Sequence, residues 1–258
     1  MSPCRLHWEA DGPDDAPALV LLGSIGSTVA MWEPNVTALA EAHWVVRADH
    51  RGHGASPVPP GPYALADLGA DVLALLDRLG LDRASVCGLS LGGMVAMWLA
   101  AHAPGRVERL ALLCTSSRMD PETWRSRAAA VRALGTVSIA EAVVGRWFTP
   151  AFAAAHPVVV ARMHTMVASI SSEGYAGCCA AIENMTIDDD LGRIAAPTLV
   201  VAGAGDPATP PEHGERIAEA IPGARLEVVP GAAHLASWEQ AETVTRLVLD
   251  HVNGGSGP

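Results

Sequence analysis

Two hydrophobic rhythms alternate along the chain. Short apolar runs ending in glycine or another turn residue recur at 16–23 (APALVLLG), 43–49 (HWVVRAD), 84–89 (ASVCGL), 107–115 (VERLALLCT), 196–203 (APTLVVAG) and 224–229 (ARLEVV). Runs of this length bounded by turn signals predict buried strands. Between them lie segments with apolar positions three and four apart: 66–80, closed by Gly80; 91–104, ended by Pro104; 211–220; and 237–252. That spacing lines one face of a helix, and glycine or proline stops it. Strands alternating with helices predict a mostly parallel, doubly wound α/β sheet, in which ligands sit beyond the carboxyl ends of the strands.

Residues 119–190 depart from this rhythm. ETWRSRAAAVRALG, IAEAVVGRWF, FAAAHPVVVARMHTMV and YAGCCAAIENM read as successive short helices with no strand between them. The pattern predicts a helical cap at 119–190, inserted between a first core part at 1–118 and a second at 191–252. The tail NGGSGP, 253–258, reads as a disordered terminus, a linker or a cloning remnant.

Composition removes several function classes. With 258 residues and 50% hydrophobic content the chain is long enough for one large core. It has no apolar run of membrane-spanning length, and MSPCRLHWEADG lacks a signal-peptide pattern, so a soluble, cytoplasmic protein is expected. The formal net charge of -11 argues against a nucleic-acid partner. All seventeen cationic residues are arginine; without lysine there is neither a Walker P-loop nor Schiff-base chemistry. Five cysteines without a CxxC pair predict free thiols, with the adjacent Cys178 and Cys179 reduced. No spacing suggests zinc, and His50 and His53 of HRGH read as a loop pair rather than metal ligands. No cofactor is expected.

The chemistry-bearing motif is Gly88-Leu89-Ser90-Leu91-Gly92, a G-x-S-x-G that ends one predicted strand and opens a predicted helix. In that context it is a nucleophile elbow: the serine sits in a strained turn with its hydroxyl exposed, and the residues two away on either side must lack bulk. The competing reading, the less favoured one, is a glycine-rich strand-to-helix turn with an idle serine. A neutral hydroxyl needs a base, and the base an orienting acid, in the chain order Ser, acid, His. Asp206, in GAGDPATPP, and His234, in PGAAHLASWE, each follow a predicted strand and supply that order. The acidic run 188–190 is not at a strand end, Glu242 lies within the last helix, and Asp49 precedes the serine and reads as a loop brace. Of the remaining histidines, His102 falls at a helix end, and His156 and His164 in the cap. For an oxyanion hole the backbone amides of Leu91 and of Ile25, in the GSIGS loop, are the candidate donors.

These residues carry a family resemblance. LLGSIGSTVAMWEP, DHRGHGASPVPPGPY, VCGLSLGGMVAMWLAAHAPGRVERLALLCTS, RWFTPAF and AGAGDPATPPEHG resemble the α/β-hydrolase fold and, within it, the 3-oxoadipate enol-lactone hydrolases (β-ketoadipate enol-lactonases). The resemblance spans nearly the whole chain, cap included. It implies opening of 3-oxoadipate enol-lactone to 3-oxoadipate in aromatic catabolism, with Ser90, Asp206 and His234 as the triad. Many superfamily members carry His-Gly where this chain has Gly23-Ser24. Some members of the family are fused to a carboxymuconolactone decarboxylase domain, so fusion or association with such a decarboxylase is an expected partnership.

An anionic lactone approaching an acidic protein needs a local cationic patch. Residues 118–146 hold five arginines (118, 125, 127, 132 and 146) against three acids. Arginine's planar fork suits a carboxylate. Arg127 and Arg132, flanked by Trp124 and Trp147, are the candidate substrate-binding residues, although the tryptophans can equally anchor the cap. Other readings stay open at this point: a carboxylesterase, a lactonase or perhydrolase of other substrate range, or a non-catalytic ligand-binding protein on the same fold.

Overall fold

The computed structural model describes residues 1–255. The seven strands are β1 (Trp8–Asp11), β2 (Ala18–Leu22), β3 (Trp44–Ala48), β4 (Ala84–Leu89), β5 (Val107–Leu113), β6 (Thr198–Gly203) and β7 (Arg225–Val229). They form one sheet in the order β1-β3-β2-β4-β5-β6-β7. Every neighbouring pair is parallel except β1 with β3. The expected doubly wound sheet is therefore present, with one addition. Strand β1 carries no apolar run, because as an edge strand it packs little surface, so the hydrophobic pattern does not announce it.

The helices of the core are α1 (Glu33–Leu39), α2 (Leu65–Arg78) and α3 (Leu91–His102). Those of the inserted region are α4 (Pro121–Leu134), α5 (Ala140–Val144), α6 (Pro150–Ala155), α7 (Pro157–Ser169) and α8 (Ser172–Glu183). The core resumes with α9 (Pro211–Ala220), α10 (Ala236–Glu239) and α11 (Ala241–Val252). Two predicted helices are each split. Pro157 withholds an amide and biases His156 out of the helical region (φ −128°, ψ 55°), separating α6 from α7. Gln240, at φ −126° and ψ 48°, separates α10 from α11.

Alternation along the strands sorts the core into two layers. Val20, Leu22, Val46, Val86, Leu110 and Leu112 face α2 and α3. Leu19, Leu21, Val45, Cys87, Leu89, Ala111 and Leu113 face the opposite layer, with α1 and α11. Each fully buried leucine or valine contributes about 1.5–3 kcal/mol, so the central strands are the most firmly held part of the molecule. Strand β4 is buried along its whole length between β2 and β5, and whatever its carboxyl end carries inherits that rigidity.

In the inserted region α4 packs on α8 and α5 on α7. Among the described residues no helix is long and apolar enough to cross a membrane. All five cysteines are free, with Cys178 and Cys179 buried in α8. The expectation of a disordered or linker tail at 253–258 falls partly on residues 256–258, which lie outside the described residues.

Candidate active site

Ser90 joins β4 to α3 in a backbone conformation that a residue with a side chain rarely adopts, φ 56° and ψ −116°. A conformation of this kind costs about 1–3 kcal/mol and persists only where surrounding bonds over-determine it. Here they do. Ser90 N–H donates to Leu113 O (3.0 Å), and Ser90 O accepts from Met94 N–H (3.0 Å) and from Thr115 Oγ1 (2.6 Å). A Cβ on Gly92 would collide with Leu22 O, and one on Gly88 with Gly92 O. Both flanking glycines are thus needed so that the turn can close against β2.

His234 and Asp206 come from separate loops, beyond β7 and β6 respectively. His234 Nδ1 lies 2.8 Å from Asp206 Oδ2, and both side chains are buried. Asp206 also accepts Ala208 N–H (2.8 Å) and Thr209 N–H (3.1 Å) at Oδ1, and Thr209 Oγ1–H (2.7 Å) at Oδ2. Burial alone would raise this carboxyl. The His234 ring and the Thr209 donors outweigh it and hold the group below its ordinary range. An ionised Asp206 accepts the Nδ1 proton, leaving Nε2 of the neutral imidazole as the basic nitrogen.

The histidine loop is also tied to the inserted region. Glu239 accepts Ala233 N–H (2.5 Å) at one oxygen and the amide and hydroxyl of Thr149 (2.9 and 2.7 Å) at the other. Leu235 N–H donates to Trp147 O (2.8 Å). The 147–149 segment of the inserted region and His234 are therefore positioned together.

Ser90 and His234 line one cavity of about 150 Å³, together with Ser24, Ile25, Met94, Trp124, Arg127, Arg146, Trp147, Tyr175 and Thr209. Ile25 is brought beside the elbow. Leu91 follows Ser90 as the first residue of α3, and neither its amide nor that of Ile25 donates to a protein acceptor among the described residues. Trp124, Arg127 and Trp147 also lie in the lining. Arg132 does not: it is exposed and paired with Glu173 (3.4 Å). Five residues along an α-helix is a rotation of about 140° from Arg127. That puts the two arginines on opposite flanks of the face that carries Trp124, Ala128 and Val131 into the core, Arg127 on the cavity side and Arg132 on the side of Glu173.

Arg146 takes the place expected of Arg132. It is half-buried, and burial and the nearby Arg127 charge both lower its pKa. Arg127 stacks over the Trp124 ring at 4.3 Å, and neither arginine is ion-paired among the described residues. Among the described residues Trp124 Nε1 is buried without a hydrogen-bond partner, and the buried Tyr175 hydroxyl has no acceptor for its proton, Arg127 beside it being a donor. Burial raises the Tyr175 phenol, against the opposing charges of Arg127 and Arg146, so it is a donor. Nothing in the local sequence marks Tyr175, whereas Thr209, three residues after Asp206, has the spacing of a side chain that folds back on its carboxylate.

The rival residues have other partners. Asp49 accepts Val29 N–H and Ala55 N–H. Asp188 accepts Ser117 Oγ–H (2.6 Å), and Asp190 pairs with Arg193 and lies 3.4 Å from His102 Nε2.

The profile of the alpha/beta hydrolase fold matches residues 17–241. The chain is 38% identical to 3-oxoadipate enol-lactonase 2 of Acinetobacter baylyi, over 94% of this chain and 91% of that protein. Among solved structures it superposes on the enol-lactonase from Burkholderia xenovorans with a TM-score of 0.95 at 40% identity, covering 97% of each chain. It superposes on a thermophilic esterase from Thermogutta terrifontis, solved with malate bound, with a TM-score of 0.92 at 30% identity, covering 98% of this chain and 95% of that one. The elbow, the Asp206–His234 pair and these likenesses agree: the chain is a hydrolase and belongs to the α/β-hydrolase fold family.

Proposed function

We propose that the protein opens a small anionic lactone, 3-oxoadipate enol-lactone, to 3-oxoadipate through an acyl-enzyme on Ser90. One observation carries the choice of an anion. Among the described residues the cavity lining holds two buried donors without an acceptor, Trp124 Nε1 and Tyr175 OH, and two half-buried arginines in no ion pair, Arg127 and Arg146. Buried donors are ordinarily paired, and leaving one unpaired costs about 1–3 kcal/mol. A ligand with a carboxylate supplies the missing acceptors, and a neutral alkyl ester does not. The enol-lactonase relatives support the ring, and the malate held by the esterase relative supports a compact carboxylate.

In this mechanism His234 Nε2 takes the Ser90 proton as Oγ attacks the ring carbonyl. Asp206 holds the imidazole tautomer and stabilises the imidazolium. The Leu91 and Ile25 amides receive the tetrahedral oxyanion. Collapse breaks the acyl C–O bond and releases the ring oxygen as an enolate, which takes the proton from His234 and tautomerises to the ketone. Water, giving a proton to the same nitrogen, attacks the acyl carbon; His234 returns that proton to Ser90 Oγ as the second carboxylate leaves. Arg127, with Trp124 and Arg146, binds the carboxylate already present on the lactone.

The test follows the ultraviolet absorbance of the enol-lactone with wild type and with Ser90→Ala. Turnover that vanishes in the variant is expected. Turnover that survives it refutes the role of Ser90. An inert wild type that hydrolyses neutral aryl esters would instead make the protein a carboxylesterase.

A further inference from the structure

The DHRGH segment after β3 contributes no side chain to the cavity, yet Asp49, His50, Arg51 and His53 are each at most 3% exposed. Three of these side chains grip the 23–29 loop at every third residue. His50 Nε2–H donates to Gly23 O (2.9 Å), the same oxygen that accepts Gly92 N–H (3.0 Å) from the elbow helix. His53 Nε2 accepts Gly26 N–H (3.0 Å). Asp49 Oδ1 accepts Val29 N–H (2.7 Å), while its other oxygen is held by Ala55 N–H (3.0 Å).

These bonds fix where the protons sit. His53 carries its proton on Nδ1, which faces Arg51 O at 3.3 Å, so that Nε2 is free to accept. Burial lowers both imidazoles, and His53, with His50 beside it, is pushed down to about 3. Each Nε2 is engaged with the loop. On its outer face His53 stacks against Tyr175, 6.4 Å between centroids, and Tyr175 lines the cavity.

Peptide planarity turns these contacts into a statement about catalysis. Gly23 O fixes the plane of the Gly23–Ser24 peptide, and Gly26 N–H fixes that of the Ile25–Gly26 peptide. The Ile25 amide belongs to the peptide between those two planes, so its direction is set from both sides.

We propose that His53, supported by His50 and Asp49, is a positioning residue that aims the Ile25 amide at the developing oxyanion, an assignment that rests on the acyl-enzyme mechanism above. The middle peptide is also held at its own carbonyl, where Ser24 O accepts Ser27 N–H (3.2 Å) and Ser27 Oγ–H (2.7 Å). Loss of the His53 acceptor leaves Gly26 N–H unpaired and loosens that peptide on its Gly26 side, so that the Ile25 amide tilts. The ground-state substrate barely engages that amide, so the penalty falls on the transition state. A misplacement of about 1 Å costs up to about 100-fold in rate.

The experiment compares wild type with His53→Phe, which keeps an aromatic ring and removes the acceptor, and with His53→Gln, whose side-chain carbonyl can accept. Folding is checked by thermal unfolding. Expected for His53→Phe is a fall in kcat of about 10–100-fold with KM within about twofold. The Ki of phenylboronic acid, which forms a tetrahedral adduct on serine, rises by the same factor, while the Ki of adipate, a ground-state dicarboxylate, is unchanged. His53→Gln regains much of the lost kcat. A folded His53→Phe with wild-type kcat and boronate affinity overturns the proposal, as does Gln behaving no better than Phe. If the phenylalanine variant does not fold, His53→Asn, too short to reach the Gly26 amide, is read by the same criteria. Turnover that survives Ser90→Ala would instead strike the underlying mechanism, and is seen before any His53 variant is made.

Discussion

Tyr175→Phe should move stability and activity in opposite directions. The tyrosine is fully buried in α8, and among the described residues its hydroxyl proton finds no acceptor, the neighbouring Arg127 guanidinium being itself a donor. Burying such a hydroxyl unpaired costs about 1–3 kcal/mol. Phenylalanine keeps the ring, and with it the packing against Gly26 and the stacking on His53, so no large void is opened. Removing only the oxygen should leave stability unchanged or raise it by about 1 kcal/mol, a gain of about 2–4 °C in Tm for a chain of this size. In the complex the same hydroxyl donates to a charged oxygen, an interaction worth about 1.5–3 kcal/mol. Its loss should lower kcat/KM for the anionic lactone by about 10–100-fold. A neutral aryl ester, offering no carboxylate, should lose no more than about twofold. Thermal unfolding and steady-state kinetics on both substrates decide the matter. A Tm several degrees lower, with both substrates slowed equally, would mean that the hydroxyl is bonded within the folded protein, and the donor-surplus reasoning would fail.

Arg146→Met should lower kcat/KM for the anionic lactone by about 10–100-fold through a raised KM, sparing neutral esters, whereas Arg132→Met should leave both within about twofold; steady-state kinetics on the two variants checks the assignment. Gly92→Ala places a Cβ against Leu22 O and should destabilise the fold by about 3 kcal/mol or prevent folding, as read by soluble yield and denaturant unfolding. Asp206 has a folded pKa below its unfolded value near 3.9. The unfolded chain therefore binds its proton first as pH falls. The stability contributed by the carboxylate is full above that value and lost as pH drops through the folded pKa. Urea unfolding between pH 6 and 3 should show this loss in wild type and a flatter profile in Asp206→Asn.

Much of the molecule is written in local pattern. A strand inside a doubly wound sheet is a short apolar run because both its faces are buried, so β2 through β6 were legible within a few residues, and the half-exposed edge strand β7 was legible from its Leu226, Val228 and Val229. The elbow was legible because its requirement is covalently local: a serine with small neighbours two residues away on either side. Asp206 and His234 stand directly beyond β6 and β7, so chain order alone put them at one end of the sheet. Where burial is one-sided or slight the pattern fades, and β1 at the sheet edge and α1, entered through Pro34, were not visible.

Tertiary packing decided the rest. Residues 118–146 hold five arginines, and composition cannot say which face inward; the turn of α4 directs Arg127 to the cavity and Arg132 to Glu173, while Arg146 enters from the turn after α5. Tyr175 becomes a functional candidate only because the fold buries its hydroxyl proton without an acceptor, and the same burial singles out the Nε1 donor of Trp124, which the sequence offered only as a neighbour of Arg127. The same holds for His53, whose meaning lies in a bond to Gly26, 27 residues away. A sequence encodes spacing along the chain, and hence secondary structure and strand order. Which polar atoms end unpaired in a shared cavity depends on the meeting of distant elements, and only the three-dimensional arrangement determines that.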